Sequence, residues 1–166
     1  MGIKMAPNYA NIFMGRLEDR ILQSADLKPT LWVRYIDDIF MLWPHGPISL
    51  KSFLDHINNF HSTIKFSSSH SSEQIHFLDV MIHLKGNRLI TNLYKKPTDR
   101  KQYLHYKSCH SNWKKLSPQH SKRGIPYSQL LRIKRICSEE HDFTSNSSEL
   151  MKSFLSRGYP RQVLEL

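Results

Sequence analysis

The sequence predicts an α+β fold in which an antiparallel sheet with packed helices is followed by a small helical unit. Apolar residues recur every three or four positions in residues 7–24 and 49–63, which is typical of helices packed on one side. Short β-forming runs bounded by turn residues lie at 31–43 and 75–95. Because helices and hairpins come in separate runs, without strict alternation, an antiparallel sheet is favoured.

The first helix and hairpin are indicated by residues 7–43. Pro7 suits the first position of a helix. The runs 31–36 and 39–43 are rich in large apolar residues and flank Asp37-Asp38, so we expect a buried hairpin with a tight two-residue turn around the aspartates.

Residues 49–63 give the clearest helical pattern. Ser49 is the expected cap, and a short strand is expected near 64–67. One face of this helix is apolar and comprises Leu50, Phe53, Leu54, Ile57 and Phe60.

A second hairpin is predicted where residues 74–85 and 88–96 flank Gly86-Asn87, a strong turn signal. After Thr98 the chain becomes polar and basic. Helical spacing returns at 127–138 and 147–156, with Asn146 or Ser145 as the cap of the latter helix, Gly158 as its stop and Pro160 as the start of a third. We therefore predict three segments, which are residues 1–97, a basic connector at 98–125, and a helical unit at 126–166.

Charge is strongly one-sided. The chain of 166 residues has 24 Lys and Arg against 14 Asp and Glu, a net charge of +10. Residues 84–135 hold 14 of these cations and one acid, Asp99, with several aromatic residues among them. This composition favours a nucleic-acid partner, although a solvated basic surface has the same composition. The cations singled out as contacts are Lys95, Lys96, Arg100, Lys101, Lys114, Lys115, Arg132 and Arg135.

No apolar run is long enough for a transmembrane helix, and the N-terminus lacks the apolar core of a signal peptide. We expect an intracellular, nuclear protein without a membrane partner. The two cysteines fit a reducing compartment. The spacings of His105, Cys109, His110 and Cys137 match no familiar zinc pattern.

Two interpretations of Asp37 and Asp38 stay open on pattern alone. They form either a solvated polar turn or a pair of carboxylates that hold Mg²⁺, which prefers oxygen ligands.

The segment around the pair, Tyr-Ile-Asp-Asp, resembles the catalytic hairpin of reverse transcriptases. Further segments follow in the same order as in that family: GIKMAPNYANIFMGRLE (2–18), IHFLDVMIH (75–83), TNLYKKPTDRKQYLHYKSCH (91–110), IPYSQLLRIKRICS (125–138) and FLSRGYP (154–160). Together they resemble the reverse transcriptases of Penelope-like retroelements over nearly the whole chain. The link at 112–123 is longer than is usual for the family.

The resemblance implies that residues 1–97 are part of a polymerase palm, and that 126–166 form a thumb-like or helix-turn-helix-like unit. It implies RNA-templated DNA synthesis from dNTPs with Mg²⁺, on an RNA template and a DNA primer. Asp37 and Asp38 match the catalytic metal-binding aspartates. Gly2, Met5, Ala6, Pro7, Asn11 and Tyr35 match positions near template and nucleotide, and the hairpin at 75–95 matches the segment that holds the primer.

The family also needs an earlier palm strand with another metal-binding aspartate, and fingers, which match no part of this sequence. Asp79 lies in the later hairpin motif and is interpreted as structural. We therefore expect a fragment of an RNA-directed DNA polymerase that is inactive alone and binds Mg²⁺ weakly. The alternative is a non-catalytic nucleic-acid-binding module derived from such an enzyme.

Overall fold

The structure is a computed structural model that describes residues 5–99, 103–107 and 119–164, apart from the side chains of 119–123. It has an α+β fold with antiparallel strands, as predicted. The chain forms two compact units, residues 1–70 and 71–166. The division does not coincide with the predicted boundary after residue 97, because the second hairpin packs with the helices that follow it.

The first unit contains two helices and one hairpin. Helix α1 (Ala6–Ser24) has Pro7 in its first turn, as expected, and is followed by β1 (Leu31–Tyr35), β2 (Asp38–Leu42) and α2 (Pro47–Phe60). The core is made where the apolar sides of α1 and α2 meet, and Trp32, Met41 and Trp43 of the hairpin segment pack against it. Its buried members are Leu17, Ile21, Phe53 and Ile57.

The predicted cap of α2, the predicted strand near 64–67 and the predicted burial of the hairpin were wrong. Gly46 precedes α2 as its cap residue, and Ser49 lies inside the helix, where its hydroxyl donates to the carbonyl of His45. Residues 64–67 form no strand. The hairpin is not fully buried, since Val33 and Tyr35 of β1 are exposed, and Trp32, Arg34 and the β2 residues after Asp38 are half-buried.

The second unit contains a three-stranded antiparallel sheet and three helices. The strands β3 (Gln74–Phe77), β4 (Val80–Lys85) and β5 (Arg88–Leu93) pair in sequence order. Lys85 pairs with Arg88, so Gly86-Asn87 forms the predicted turn. The segment 74–85 was expected to be a single strand, but a further turn at Leu78-Asp79 divides it in two, with Phe77 paired to Val80.

The helices of this unit are α3 (Gln119–Ile136), α4 (Glu140–Ser156) and α5 (Arg161–Leu164). Both longer helices begin before their predicted starts, so the connector predicted at 98–125 contains the first turns of α3, and neither Asn146 nor Ser145 caps α4. Gly158, at φ +77°, follows the end of α4, and α5 begins directly after Pro160, as predicted. The core consists of Ile133, Leu150, Phe154, Tyr159, Val163 and Leu164.

Among the described residues, no helix is long and apolar enough to cross a membrane.

Candidate nucleic-acid interface and aspartate hairpin

The turn of the first hairpin displays an aspartate at its tip. Tyr35 pairs with Asp38, so the two turn residues are Ile36 and Asp37, and Asp38 is the first residue of β2. The turn therefore lies one residue earlier than predicted. Ile36 has φ +57°, in the left-handed region that β-branched residues rarely adopt.

Arg34 holds this turn against α1. Its Nε forms an ion pair with Glu18 Oε1 at 2.6 Å, and the two side chains are only 13% and 11% exposed. Its Nη1 donates to Asn11 Oδ1 at 3.1 Å and to the carbonyl oxygen of Ile36 at 3.0 Å. A planar guanidinium can make these bonds in fixed directions, so the strained backbone of Ile36 is anchored to two positions of α1.

The carboxylates of Asp37 and Asp38 are exposed. Within the described ranges, no side chain forms a hydrogen bond or an ion pair with either of them. In the same part of the chain, no three acidic, histidine or cysteine side chains come together as a metal site. The two carboxylates supply the oxygen ligands that Mg²⁺ prefers but do not make up a coordination shell, so the described residues do not fit a resident metal by themselves.

The residues predicted to lie near template and nucleotide are exposed where they are described. Met5 immediately precedes α1, and Ala6, Pro7 and Asn11 lie in its first half. The bonds of Arg34 bring Asn11 close to the hairpin, and Tyr35 is 57% exposed beside the turn. Gly2 lies outside the described residues.

The second unit contains a turn of the same form with a different partner. Leu78, at φ +56°, precedes Asp79 as Ile36 precedes Asp37. Asp79 Oδ2 accepts a hydrogen bond from Arg132 Nε at 2.8 Å, which ties the sheet to α3. This ion pair agrees with the structural role predicted for Asp79.

The structure divides the predicted cationic contacts into three groups. Arg132 and Lys95 form internal ion pairs, Lys95 Nζ lying 2.5 Å from Glu149 Oε2. Lys96 and Arg135 are exposed and have no partner within the residues described here. The remaining four lie outside the described residues: Arg100, Lys101, Lys114 and Lys115.

Hydrogen bonds of Thr91 and Asn92 in β5, which sequence reasoning missed, fix the bend between α3 and α4. We call these bonds the clamp at Thr91. Thr91 of β5 donates from Oγ1 to the carbonyl of Ile136 at 2.6 Å, and its backbone N–H donates to Ser138 Oγ at 2.9 Å. Asn146 Nδ2 of α4 donates to Asn92 Oδ1 of β5 at 2.8 Å. These partners lie 45 or more residues apart in sequence, so no local pattern could have shown them.

The joint between α4 and α5 is packed around aromatic rings. Tyr159 is 4% exposed and lies against Phe154 and Tyr106, with ring centroids 4.8 and 5.1 Å away. Burial raises the pKa of the Tyr159 phenol above its usual value. Gly158 lies against the ring of His105, so the joint is closed by the segment 103–107.

The four residues weighed as zinc ligands are not assembled as far as they are described. Cys137 is half-buried, with Sγ 3.6 Å from Asn92 Oδ1. His105 packs at the α4–α5 joint, and Cys109 and His110 lie outside the described residues.

Comparison with known families finds a match in the second unit. The profile of the animal helix-turn-helix domain matches residues 102–165, which is less than half of the chain and includes α3, α4 and α5. The match agrees with the helix-turn-helix-like unit expected at the end of the chain. No curated protein and no solved structure gives a significant match.

Proposed function

We propose that the second unit, residues 71–166, binds nucleic acid. The observation that carries this proposal is the match of residues 102–165 to the animal helix-turn-helix domain. Helix-turn-helix units are used in many proteins to place a helix in a DNA groove. The helices α3–α5 share one core, and the clamp at Thr91 holds the bend between α3 and α4 in one geometry.

The charge of the chain supports this proposal. A net charge of +10 attracts a polyanion and raises its association rate. Lys96, which follows β5, and Arg135 on α3 are exposed cations that have no partner in the described part of the molecule. Such groups can neutralise phosphates without first breaking an internal ion pair.

Binding is tested by fluorescence anisotropy of labelled 20-base-pair DNA titrated with the full chain at several salt concentrations. We expect affinity to fall linearly with salt on a logarithmic plot, because phosphate contacts release counterions. No binding at low salt, or an affinity that does not change with salt, would refute the proposal.

We further propose that the chain is part of a reverse transcriptase of the Penelope-like group, with Asp37 and Asp38 as members of its catalytic carboxylate set. The observation that favours this is the tip of the first hairpin, where both carboxylates are exposed and no described side chain binds them. Tyr35 is exposed beside them, as is the first half of α1. The partners would be an RNA template, a DNA primer and dNTPs.

In that enzyme Mg²⁺ would supply the charge that stabilises the transferred phosphates. This chain contributes two carboxylates. The bonds of Arg34 to Glu18 and to the carbonyl of Ile36 fix the Ile36-Asp37 turn. A further ligand must come from residues outside the described set, so the described residues alone give no complete reaction.

The polymerase proposal is tested by primer extension on an RNA template with Mg²⁺. We expect no incorporation by the 166-residue chain. We expect incorporation by a fusion that places the fingers and first palm strand of a Penelope-like reverse transcriptase in front of this chain, and Asp37→Asn should abolish it. Incorporation that survives Asp37→Asn in the fusion would contradict the role given to this carboxylate.

A further inference from the structure

We propose that the outer face of α3 is the surface on which the chain binds duplex DNA. We define this outer face by Tyr127, Leu131 and Arg135, which are four residues apart and therefore lie one above the other on the same side of the helix. The inference rests on the proposed nucleic-acid binding of the second unit, and it specifies the binding surface and the form of the nucleic acid.

Packing on the opposite side of α3 keeps the outer face exposed. Pro126 and Ile133 are buried, and Leu130 and Cys137 pack against the core shared with α4 and α5. The Thr91 hydroxyl, which donates to the carbonyl of Ile136, fixes the end of the same helix. Rotation of α3 about its axis would break these contacts, so the exposed side chains have a defined direction.

Two large side chains on the outer face are exposed although they are apolar or aromatic. Tyr127 is 50% exposed and Leu131 is 37% exposed. Exposed apolar groups that lie together at a helical spacing mark contact surfaces more often than isolated ones do. By themselves they do not determine the chemistry of the partner.

The charge of α3 favours a polyanionic partner. The sequence from Gln119 to Ser138 contains five Lys and Arg residues and no acid. Two of these cations are neutralised within the unit, Arg132 by Asp79 and Lys134 by Glu140 at 2.9 Å. Arg135 is exposed next to Leu131 and has no partner within the described ranges, so it can pair with a phosphate or with the edge of a guanine.

The first turn of α4 has the opposite charge. Glu139 precedes the helix, and Glu140 and Asp142 lie in its first turn. Lys134 is held by this acidic turn, since its Nζ binds Glu140 and lies 4.4 Å from the centre of the Phe143 ring. Acidic groups repel phosphates, so the start of α4 is disfavoured as the part that enters a DNA groove.

The shape of the outer face favours duplex DNA. From Gly124 to Arg135 the helix extends about 17 Å at 1.5 Å per residue, and its side chains form a convex ridge. The major groove of B-form DNA, about 12 Å wide, admits an α-helix, whereas that of A-form RNA is too deep and narrow for side chains to reach the bases.

The test compares two matched variants of the full chain, Arg135→Gln on α3 and Lys152→Gln on α4. Both remove one exposed cation without a described partner, and circular dichroism checks that each variant is folded. Binding is measured by anisotropy on the same 20-base-pair DNA at several salt concentrations. We expect Arg135→Gln to weaken binding about 10-fold and to reduce the slope of log affinity against log salt by about 1. Lys152→Gln should stay within about twofold of the wild type, since a charge away from the interface contributes little to binding.

Tyr127→Ala separates the apolar contact from the charge. It should weaken DNA binding while leaving the salt slope unchanged, because no phosphate contact is lost.

Equal effects of Arg135→Gln and Lys152→Gln would overturn the assignment of the face while leaving nucleic-acid binding intact. Tighter binding of duplex RNA or single-stranded DNA than of duplex DNA would overturn the assignment of the partner. Absence of binding by the wild type would instead remove the underlying proposal.

Discussion

Arg34 donates from Nη1 to the carbonyl oxygen of Ile36 over 3.0 Å, so the guanidinium holds the backbone of the turn and leaves the carboxylate of the next residue open. At the turn between β3 and β4 an arginine of α3 has the opposite role, since Arg132 binds the side chain of Asp79. Both turns have a branched apolar residue at positive φ followed by aspartate. Two turns of one form thus present one carboxylate that no described side chain binds and one that is paired with an arginine.

This difference predicts unequal effects of the same substitution. Asp37→Asn should change the free energy of unfolding by less than about 0.5 kcal/mol, because the side chain is exposed and has no described partner. Asp79→Asn should destabilise the second unit by about 0.5–1 kcal/mol through loss of a half-exposed ion pair. Urea unfolding measures both, and equal effects would contradict the distinction between the turns.

Arg34→Gln should destabilise the first unit strongly. The ion pair with Glu18 is largely buried, and removal of one partner leaves an uncompensated charge, which costs about 3–5 kcal/mol. Arg16→Gln is the matched control, because Arg16 is an exposed arginine on α1. The double variant Glu18→Gln with Arg34→Gln should be less destabilised than the sum of the single variants. Additive effects in urea unfolding would show that the pair is not coupled.

Ile36→Gly should stabilise the first hairpin by up to about 1 kcal/mol. The left-handed conformation costs a side-chain-bearing residue about 1–2 kcal/mol, and glycine adopts it freely at an entropic cost of about 0.5–1 kcal/mol. Ile36 is 64% exposed, so little apolar burial is lost. Val33→Gly, an exposed strand position, should instead destabilise the hairpin. Hydrogen exchange of the strand amides compares the two, and destabilisation by Ile36→Gly would contradict the strain at this turn.

The second unit should lose stability above about pH 10. Burial raises the pKa of Tyr159 in the folded state above the value of 10.0 for an exposed tyrosine. The stability due to its neutral phenol is therefore complete below pH 10, and it is lost as the pH rises through the folded pKa. Tyr159→Phe keeps the packing against Phe154 and should weaken this pH dependence, measured by thermal unfolding from pH 8 to 11. The same loss in the variant and the wild type would exclude Tyr159 as the cause.

Periodicity sufficed to predict the parts of the fold that local sequence determines. The apolar face of α2, with buried Leu50, Phe53 and Ile57, follows directly from helical spacing. Gly86-Asn87 has the conformational freedom that its turn requires, and Gly158 stops α4 because glycine accepts φ +77°. These features depend on a few adjacent residues and can therefore be predicted without knowledge of the tertiary contacts.

The errors arise where tertiary contacts override local preference. The turn at Ile36-Asp37 has an isoleucine in a conformation that isoleucine disfavours, and it is held there by Arg34 and α1. The same applies to Leu78, which no turn signal marked. The hairpin that carries the two aspartates was expected, whereas the pairing of Lys95 with Glu149 could not be, because its partners are 54 residues apart.

Hydrogen exchange of the full chain with and without duplex DNA tests the central claim, nucleic-acid binding by the second unit, most directly. We predict that DNA slows exchange most strongly within residues 119–164, and within α3 above all, because the outer face of α3 becomes covered. Protection confined to residues 5–70, or no protection at a DNA concentration that saturates binding, would contradict the claim.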